Sequence, residues 1–260
     1  MTPGRDTATY LYCLVRAERA PSLARAPRGL PGTGALRLLP AAADLWLVAA
    51  DAPLARYGSA PIEQGLRDLE WVALRGAAHE RVVEHFARRL TTVPMKLFTL
   101  FTADARAVAH VRDTEARVRD VLTRVDGRQE WGVRVRLDPA LVRRRVRRPP
   151  PPSARRAGTR FLVAKKQERD VAREVLRQGR LAVEDAFEDL AGLADARRRR
   201  PAAELEGTRL VLDAALLLDA RRATRFKGAV RRAAKALAAR GYRLTLTGPW
   251  PAYHFVSDAR

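Results

Sequence analysis

The chain has 260 residues, 47% of them hydrophobic, which supports two cores of ordinary size or one large one and excludes a disordered protein. Net charge is +21, from 50 Lys and Arg against 29 Asp and Glu, a field that draws nucleic acid, anionic membrane or an acidic protein. No apolar run approaches the roughly 20 residues of a membrane span, the opening MTPGRDTATY lacks the pattern of a secretory signal, and the single cysteine, Cys13, excludes an internal disulfide and fits a reducing cytoplasm.

The first element, TATYLYCLV at 8–16, is apolar on both pleat faces, with Tyr10, Tyr12 and Leu14 on one and Leu11, Cys13 and Val15 on the other. That pattern predicts a central strand. A loop rich in Pro and Gly follows, then two short strands, 35–39 and 44–50, around a turn at Pro40. From Pro61 the period becomes helical: Ile62, Leu66, Leu69 and Val72, then Val82, Phe86 and Leu90, with a break or bend expected at Gly76. VPMKLFTLF at 93–101 is extended. Residues 104–125 read as a helix with Val108, Val111, Val118, Val121, Leu122 and Val125 inward. QEWGVRVRLD at 129–138 alternates cleanly as a strand, Trp131, Val133, Val135 and Leu137 against Arg134 and Arg136.

Residues 139–158 then hold five prolines and seven arginines with no acid, which predicts an extended, solvated linker. Beyond it come a short apolar stretch at 159–164 and a helix over 165–194 carrying Val171, Val175, Val183, Phe187 and Leu190. RRRRP at 197–201 ends that helix, 208–218 is a buried strand, 221–240 a helix and 242–247 a last strand. The fold class expected is α+β in two domains, each a small sheet with helices on one face, ferredoxin-like or a modification of it. The N-terminal domain is 1–138, the linker 139–158 and the C-terminal domain 159–260 with its aromatic-proline tail.

No active site emerges from this pattern. His79-Glu80 invites comparison with HExxH, but the position four residues on is Val83, and His85 lies about 120° from His79 around a helix. Helix capping or a surface ion pair suits His79 and Glu80 better. There is no P-loop, no GxGxxG and no GxSxG elbow, and Glu184, Asp185, Glu188 and Asp189 read as a solvated helix face. No catalytic residue, cofactor, metal or small-molecule substrate is therefore expected.

Residues 139–260 carry net +16 against +5 for 1–138. The helix at 221–240 has eight basic residues and no acid, dividing into an apolar side (Phe226, Val230, Ala233, Leu237) and a basic one (Arg221, Arg225, Arg232, Lys235). A nucleic-acid-binding or regulatory role for that basic surface is the alternative reading. It lacks aromatics interleaved with charge, and an Arg-for-Lys compositional bias accounts equally for the excess.

The C-terminal LTLTGPWPAYHFV sets Trp250 between Pro249 and Pro251, which hold it in a preset direction. Such a tryptophan either locks the chain end onto a core or anchors a partner, and the flanking strand's need for a clamp favours the lock. This segment resembles the closing stretch of the gas-vesicle GvpL/GvpF family. TYLYCLV resembles the family's opening strand, His79-Glu80 its helical HE pair, VPMKLFTLF its proline-led strand and QEWGVRVRLD its Glu-Trp-Gly-Val strand, in the family's order over nearly the whole chain. The family-signature positions are His79, Glu80, Pro94, Glu130, Trp131, Gly132, Gly248, Pro249, Trp250, Pro251, Tyr253 and Phe255, for which a structural role is expected, the tail clamping the C-terminal domain.

The resemblance implies a cytoplasmic accessory protein of gas-vesicle formation, associated with the vesicles and without catalytic activity. Its partners would be the hydrophobic shell subunit and other gas-vesicle accessory proteins. An adaptor of this kind would cover aggregation-prone surface with an edge strand of the N-terminal sheet or an apolar groove beside it.

Overall fold

The computed structural model describes residues 6–138, 157–200 and 210–256. The chain divides into two compact units, Met1–Glu130 with Pro249–Arg260, and Trp131–Gly248. This differs from the expected division in two places: the Glu-Trp-Gly-Val strand opens the second unit, and the aromatic-proline tail belongs to the first. The expected linker, 139–158, lies outside the described residues except for its last two, which open a helix.

In the first unit, β1 (Thr7–Arg16) pairs antiparallel with β3 (Leu45–Pro53) on one side and with β4 (Thr91–Pro94) and β5 (Leu100–Phe101) on the other, as its two apolar faces predict. The edge strand β2 (Arg37–Ala42) continues the order β2-β3-β1-β4. Pro40 is no turn; it sits beside a register shift between Pro40 and Ala42, where an edge strand tolerates a missing N–H. A second shift, between Leu11 and Cys13, alters the face assignment. Tyr10, Tyr12, Cys13 and Val15 all join one core with Val82, Val83 and Phe86, while Leu11 and Leu14 line a separate cavity.

Two short helices, α1 (Leu54–Tyr57) and α2 (Ser59–Gly65), precede α3 (Leu69–Ala87). Helix α3 runs unbroken through Gly76. The break falls at Asp68 instead, whose carboxylate accepts from the N–H groups of Glu70 and Trp71 and so starts a new helix. Leu66 and Leu69, expected inward, are 56% and 83% exposed; the buried side of α3 is Ala78, His79, Val82, Val83 and Phe86. Further on, the expected single helix divides at Thr114 into α4 (Asp104–Asp113) and α5 (Glu115–Val125). The Thr114 hydroxyl donates to the His110 carbonyl at 2.7 Å, a local bond that competes with helix continuation.

The second unit is built from β6 (Arg128–Leu137), α6 (Ala157–Ala191), β7 (Ala196–Arg199), β8 (Leu210–Asp219), α7 (Ala223–Ala238) and β9 (Tyr242–Trp250). Its sheet order, β7-β8-β6-β9, with the chain order β-α-β-β-α-β, is compatible with the ferredoxin-like arrangement. Trp131, Val133 and Val135 of β6 pack with Phe187, Leu216 and Phe226. The apolar stretch at 159–164 is part of α6. The arginine run at 197–199, expected to end a helix, is strand β7; Arg199 pairs with Glu184 at 2.6 Å and Arg197 with Glu188, so those carboxylates are not merely solvated.

Gly179 of α6 lies under the Tyr242 ring, and a Cβ there would sit 2.3 Å from Tyr242 Cε2. Tyr242 is 2% exposed and part of the second unit's core. Overpacking of about 1–3 kcal/mol therefore outweighs the roughly 1 kcal/mol that alanine gains over glycine in a helix. Gly179→Ala is expected to lower stability by about 1 kcal/mol in urea denaturation; an unchanged or raised midpoint would show that the ring moves freely.

Candidate functional site

The residues 95–99, between β4 and β5, leave the sheet edge and return to it. Met95 N–H donates to the Tyr12 carbonyl (2.9 Å), and Leu11 N–H to the Thr99 carbonyl (2.9 Å), so both ends stay tied to β1. Between them Phe98 adopts φ 66°, a conformation that a bulky residue rarely takes and that stores about 1–3 kcal/mol. Only 93–94 and 100–101 of the expected extended segment pair as strands.

His79 holds this loop from below. Its Nε2 faces the Met95 carbonyl at 3.1 Å, and because a carbonyl only accepts, Nε2 carries the proton. The Nδ1 then accepts from the Tyr10 hydroxyl (2.7 Å), whose oxygen in turn accepts from Phe98 N–H (3.3 Å). The imidazole stacks on Tyr12 at 5.5 Å between centroids. Burial pushes its pKa down to about 4, so it is neutral in the folded protein.

The C-terminal tail closes the same region. Glu130, 4% exposed, accepts from the backbone N–H of His254 (2.8 Å) and from its Nδ1 (2.6 Å). The Tyr253 hydroxyl lies against the Glu80 carboxyl; burial, and then this carboxylate, push the phenol pKa upward, while burial raises that of Glu80. Phe255 and Val256 are buried, and Arg124 donates to the Phe255 carbonyl at 3.5 Å. The tail therefore clamps the first unit, not the C-terminal domain as expected. Trp250 is 39% exposed, whereas Pro251 is buried.

Loop and tail together wall a cavity of about 480 Å³. Leu11 and Leu14 form its base, Val111 and Val118 one side, Val93 to Phe98 another, and Tyr253 and Val256 a third. The lining is mainly aliphatic and aromatic, with Lys96, Thr99, His110 and Thr114 as its polar groups. Such a space suits an apolar ligand or side-chain cluster. Among the described residues no group of three His, Cys, Asp or Glu is placed to hold a metal ion. Cys13 lies in the opposite core, its thiol pKa raised by burial.

The sequence of this chain matches the family model "Gas vesicle synthesis protein GvpL/GvpF" over residues 8–257. The chain belongs to the GvpL/GvpF family. It is 28% identical to gas vesicle protein L of Streptomyces sp. (strain CB03234), over 98% of this chain and 94% of that protein. Its fold is similar to the crystal structure of gas vesicle protein GvpF from Anabaena sp. PCC7120, with TM-score 0.69, 16% identity and 96% of each chain covered. It is also similar to GvpF from Microcystis aeruginosa, with TM-score 0.66, 11% identity, and 96% of this chain and 99% of that one covered.

Of the GvpL/GvpF signature positions, the structure brings His79, Glu80, Pro94, Glu130, Tyr253 and Phe255 together in the first unit. Trp131 is in the second unit's core, its ring 5.0 Å from Lys227 Nζ. A Cβ on Gly132 would sit 2.4 Å from the Thr247 hydroxyl oxygen, while Gly248 takes φ 111°, which other residues avoid. Pro249 begins the part of the tail that counts with the first unit. The basic residues Arg221, Arg225, Arg232 and Lys235 are exposed, and Arg221 is paired with Asp219 at 2.5 Å. No helix among the described residues is long and apolar enough to cross a membrane. Tyr10, Phe98 and the cavity-lining Leu11, Leu14, Val111 and Val118 were not marked as functional by the sequence, which reads them only as core.

A buried neutral His79 makes stability depend on pH. The folded-state pKa, about 4, lies below the ordinary 6.5, so the unfolded chain takes up the proton first. The contribution is full above pH 6.5 and is lost as pH falls towards 4, about 3 kcal/mol in all. Glu80, shifted upward, opposes this in the lower part of the window. Denaturation midpoints of wild type and His79→Gln between pH 7 and 4 are expected to converge as the pH falls; parallel curves would contradict a neutral buried imidazole.

Proposed function

We propose that this chain is a non-enzymatic accessory protein of gas-vesicle assembly that receives an apolar segment of the vesicle's shell subunit in the cavity of its first unit. Family membership supports the process, and the cavity of about 480 Å³, whose lining includes the signature residues Pro94 and Tyr253, supports the means. A shell subunit with unpartnered apolar, β-forming surface aggregates unless that surface is covered. The cavity is preferable to the neighbouring sheet edge for this task, because β4 is four residues long and Pro94 has no N–H to offer a partner strand. Other accessory proteins of the vesicle are further partners, and the chain acts in the cytoplasm beside the vesicles.

Co-expression with the shell subunit followed by pull-down is the test. Wild type is expected to enrich the subunit over an unrelated basic protein. Val111→Trp fills the cavity and is expected to lower recovery by about tenfold or more, roughly 1.4 kcal/mol of binding. Replacing Arg225, Arg232 and Lys235 with alanine is expected to leave recovery unchanged. The opposite pattern, with DNA binding that persists at physiological salt, would favour the basic-surface reading.

A further inference from the structure

At the C-terminal end of α3, apart from the apolar cavity, the loop 21–25 and the last turn of the helix enclose a cleft of about 380 Å³. Its floor is apolar: Phe86, 2% exposed, with Leu90 and Pro21 beside it. Its walls carry Arg25, Arg89 and His85, and among the described residues no carboxylate lines it. The nearest acid on the helix, Glu84, is taken by Arg88 at 3.0 Å. The guanidinium groups of Arg25 and Arg89 make no ion pair or hydrogen bond with a described residue. Arg37, Arg119, Arg199 and Arg221, by contrast, all close on carboxylates. Ser22 Oγ already accepts from Ala24 N–H at 3.3 Å, which leaves its own O–H to donate.

We propose that this cleft binds a small amphiphilic oxyanion, a carboxylate or phosphate carried on an apolar body. Two guanidinium groups without acidic partners supply charge-assisted donors for the oxyanion. The Phe86 floor, with the His85 ring edge-on at 5.1 Å, takes the apolar part. Helix α3 presents its negative end here, but those partial charges are smaller than the two full positive charges. The imidazole reports the field directly: burial, then Arg89 and Arg88, hold its pKa below the ordinary value. A bound anion offsets the arginines and moves it back up. The site is a concave space sized for one molecule, in contrast to the convex arginine and lysine side of α7, so a polymer is not the ligand it fits.

Nuclear magnetic resonance titration of the full chain tests this, following the His85 ring and the Leu90 methyls. The probes are octanoate, octyl phosphate and inorganic phosphate. Saturable shifts at both residues are expected with the octyl compounds, and the tighter of the two identifies the head group. Inorganic phosphate, lacking the apolar body, is expected to bind about tenfold more weakly or worse. Arg25→Glu and Arg89→Glu change exposed side chains and should leave the melting temperature in place while weakening octyl binding about tenfold each. Lys235→Glu, the same change in net charge elsewhere, is expected to have no effect. The proposal fails if His85 shows no saturable shift, if inorganic phosphate binds as well as octyl phosphate, or if Lys235→Glu weakens binding equally.

Discussion

His79→Ala is expected to cost about 3–4 kcal/mol of stability, a large share of the 5–15 kcal/mol typical of a folded protein. The substitution leaves the Tyr10 hydroxyl and the Met95 carbonyl without partners in a site that is 3% exposed, and empties the space of a ring stacked on Tyr12. Each unsatisfied buried group costs about 1–3 kcal/mol, and the lost packing adds to it without full additivity. The local consequence is specific. Phe98 keeps its φ of 66° only while Tyr10 and its neighbours over-determine the turn, so the loop 95–99 should relax and the cavity lose one wall. Chemical denaturation measures the first effect; hydrogen exchange at Phe98 and Thr99 measures the second. A change under about 1 kcal/mol with unaltered exchange would mean that His79 is filler.

Glu130→Ala should release the C-terminal tail at a cost of about 2–3 kcal/mol. The carboxylate is buried and accepts two bonds from His254. The His254 side chain is 58% exposed, so its Nδ1 bond is partly screened and the larger share comes from the backbone N–H. With that anchor gone, Tyr253 and Phe255 should loosen together, since the bond from Arg124 to the Phe255 carbonyl is long, 3.5 Å. Limited proteolysis should then cut the tail near residue 254 in the variant and not in the wild type. Equal protection in both would show that the buried Phe255 and Val256 suffice as the clamp. His79 holds the loop 95–99 and Glu130 the tail, two segments that line one cavity, and the effects of the two substitutions are expected to couple in a double-mutant cycle.

Strong periodic signals in the sequence carried most of the fold. β1, β6, α5 and α7 follow from apolar spacing alone, because each buries one or both faces against neighbours in the usual way. Where the sequence misled, a competing local force is visible. Asp68 started a helix that Gly76 was expected to interrupt, because an N-cap stabilises more than a solvent-facing glycine costs. The arginines of β7 show no alternation of apolar and polar residues, so nothing marked them as a strand; their pairing with Glu184 and Glu188 exists only in three dimensions. The bulge near Tyr12 moved Cys13 and Leu14 to opposite sides from those read off a simple two-residue period.

The candidate site was legible as a set of residues and illegible as a place. His79, Glu80, Glu130 and Tyr253 were singled out by their resemblance to a family pattern, but Glu130 and His254 are 124 positions apart and no periodicity relates them. The cavity itself is made of Leu11, Leu14, Val111 and Val118, ordinary apolar residues that a sequence cannot separate from filled core. What distinguishes them is that the loop 95–99 and the tail surround a space which no side chain of the described residues fills.

This space, and not the basic helix, is expected to meet the shell subunit. Site-specific photo-crosslinking in cells assembling vesicles addresses this directly, with a benzophenone side chain placed in turn at the cavity-lining Lys96 and Leu97 and at Arg232. Shell-subunit adducts are expected at Lys96 and Leu97 and none at Arg232. Adducts confined to Arg232, or none to the shell subunit at any cavity position, would contradict it.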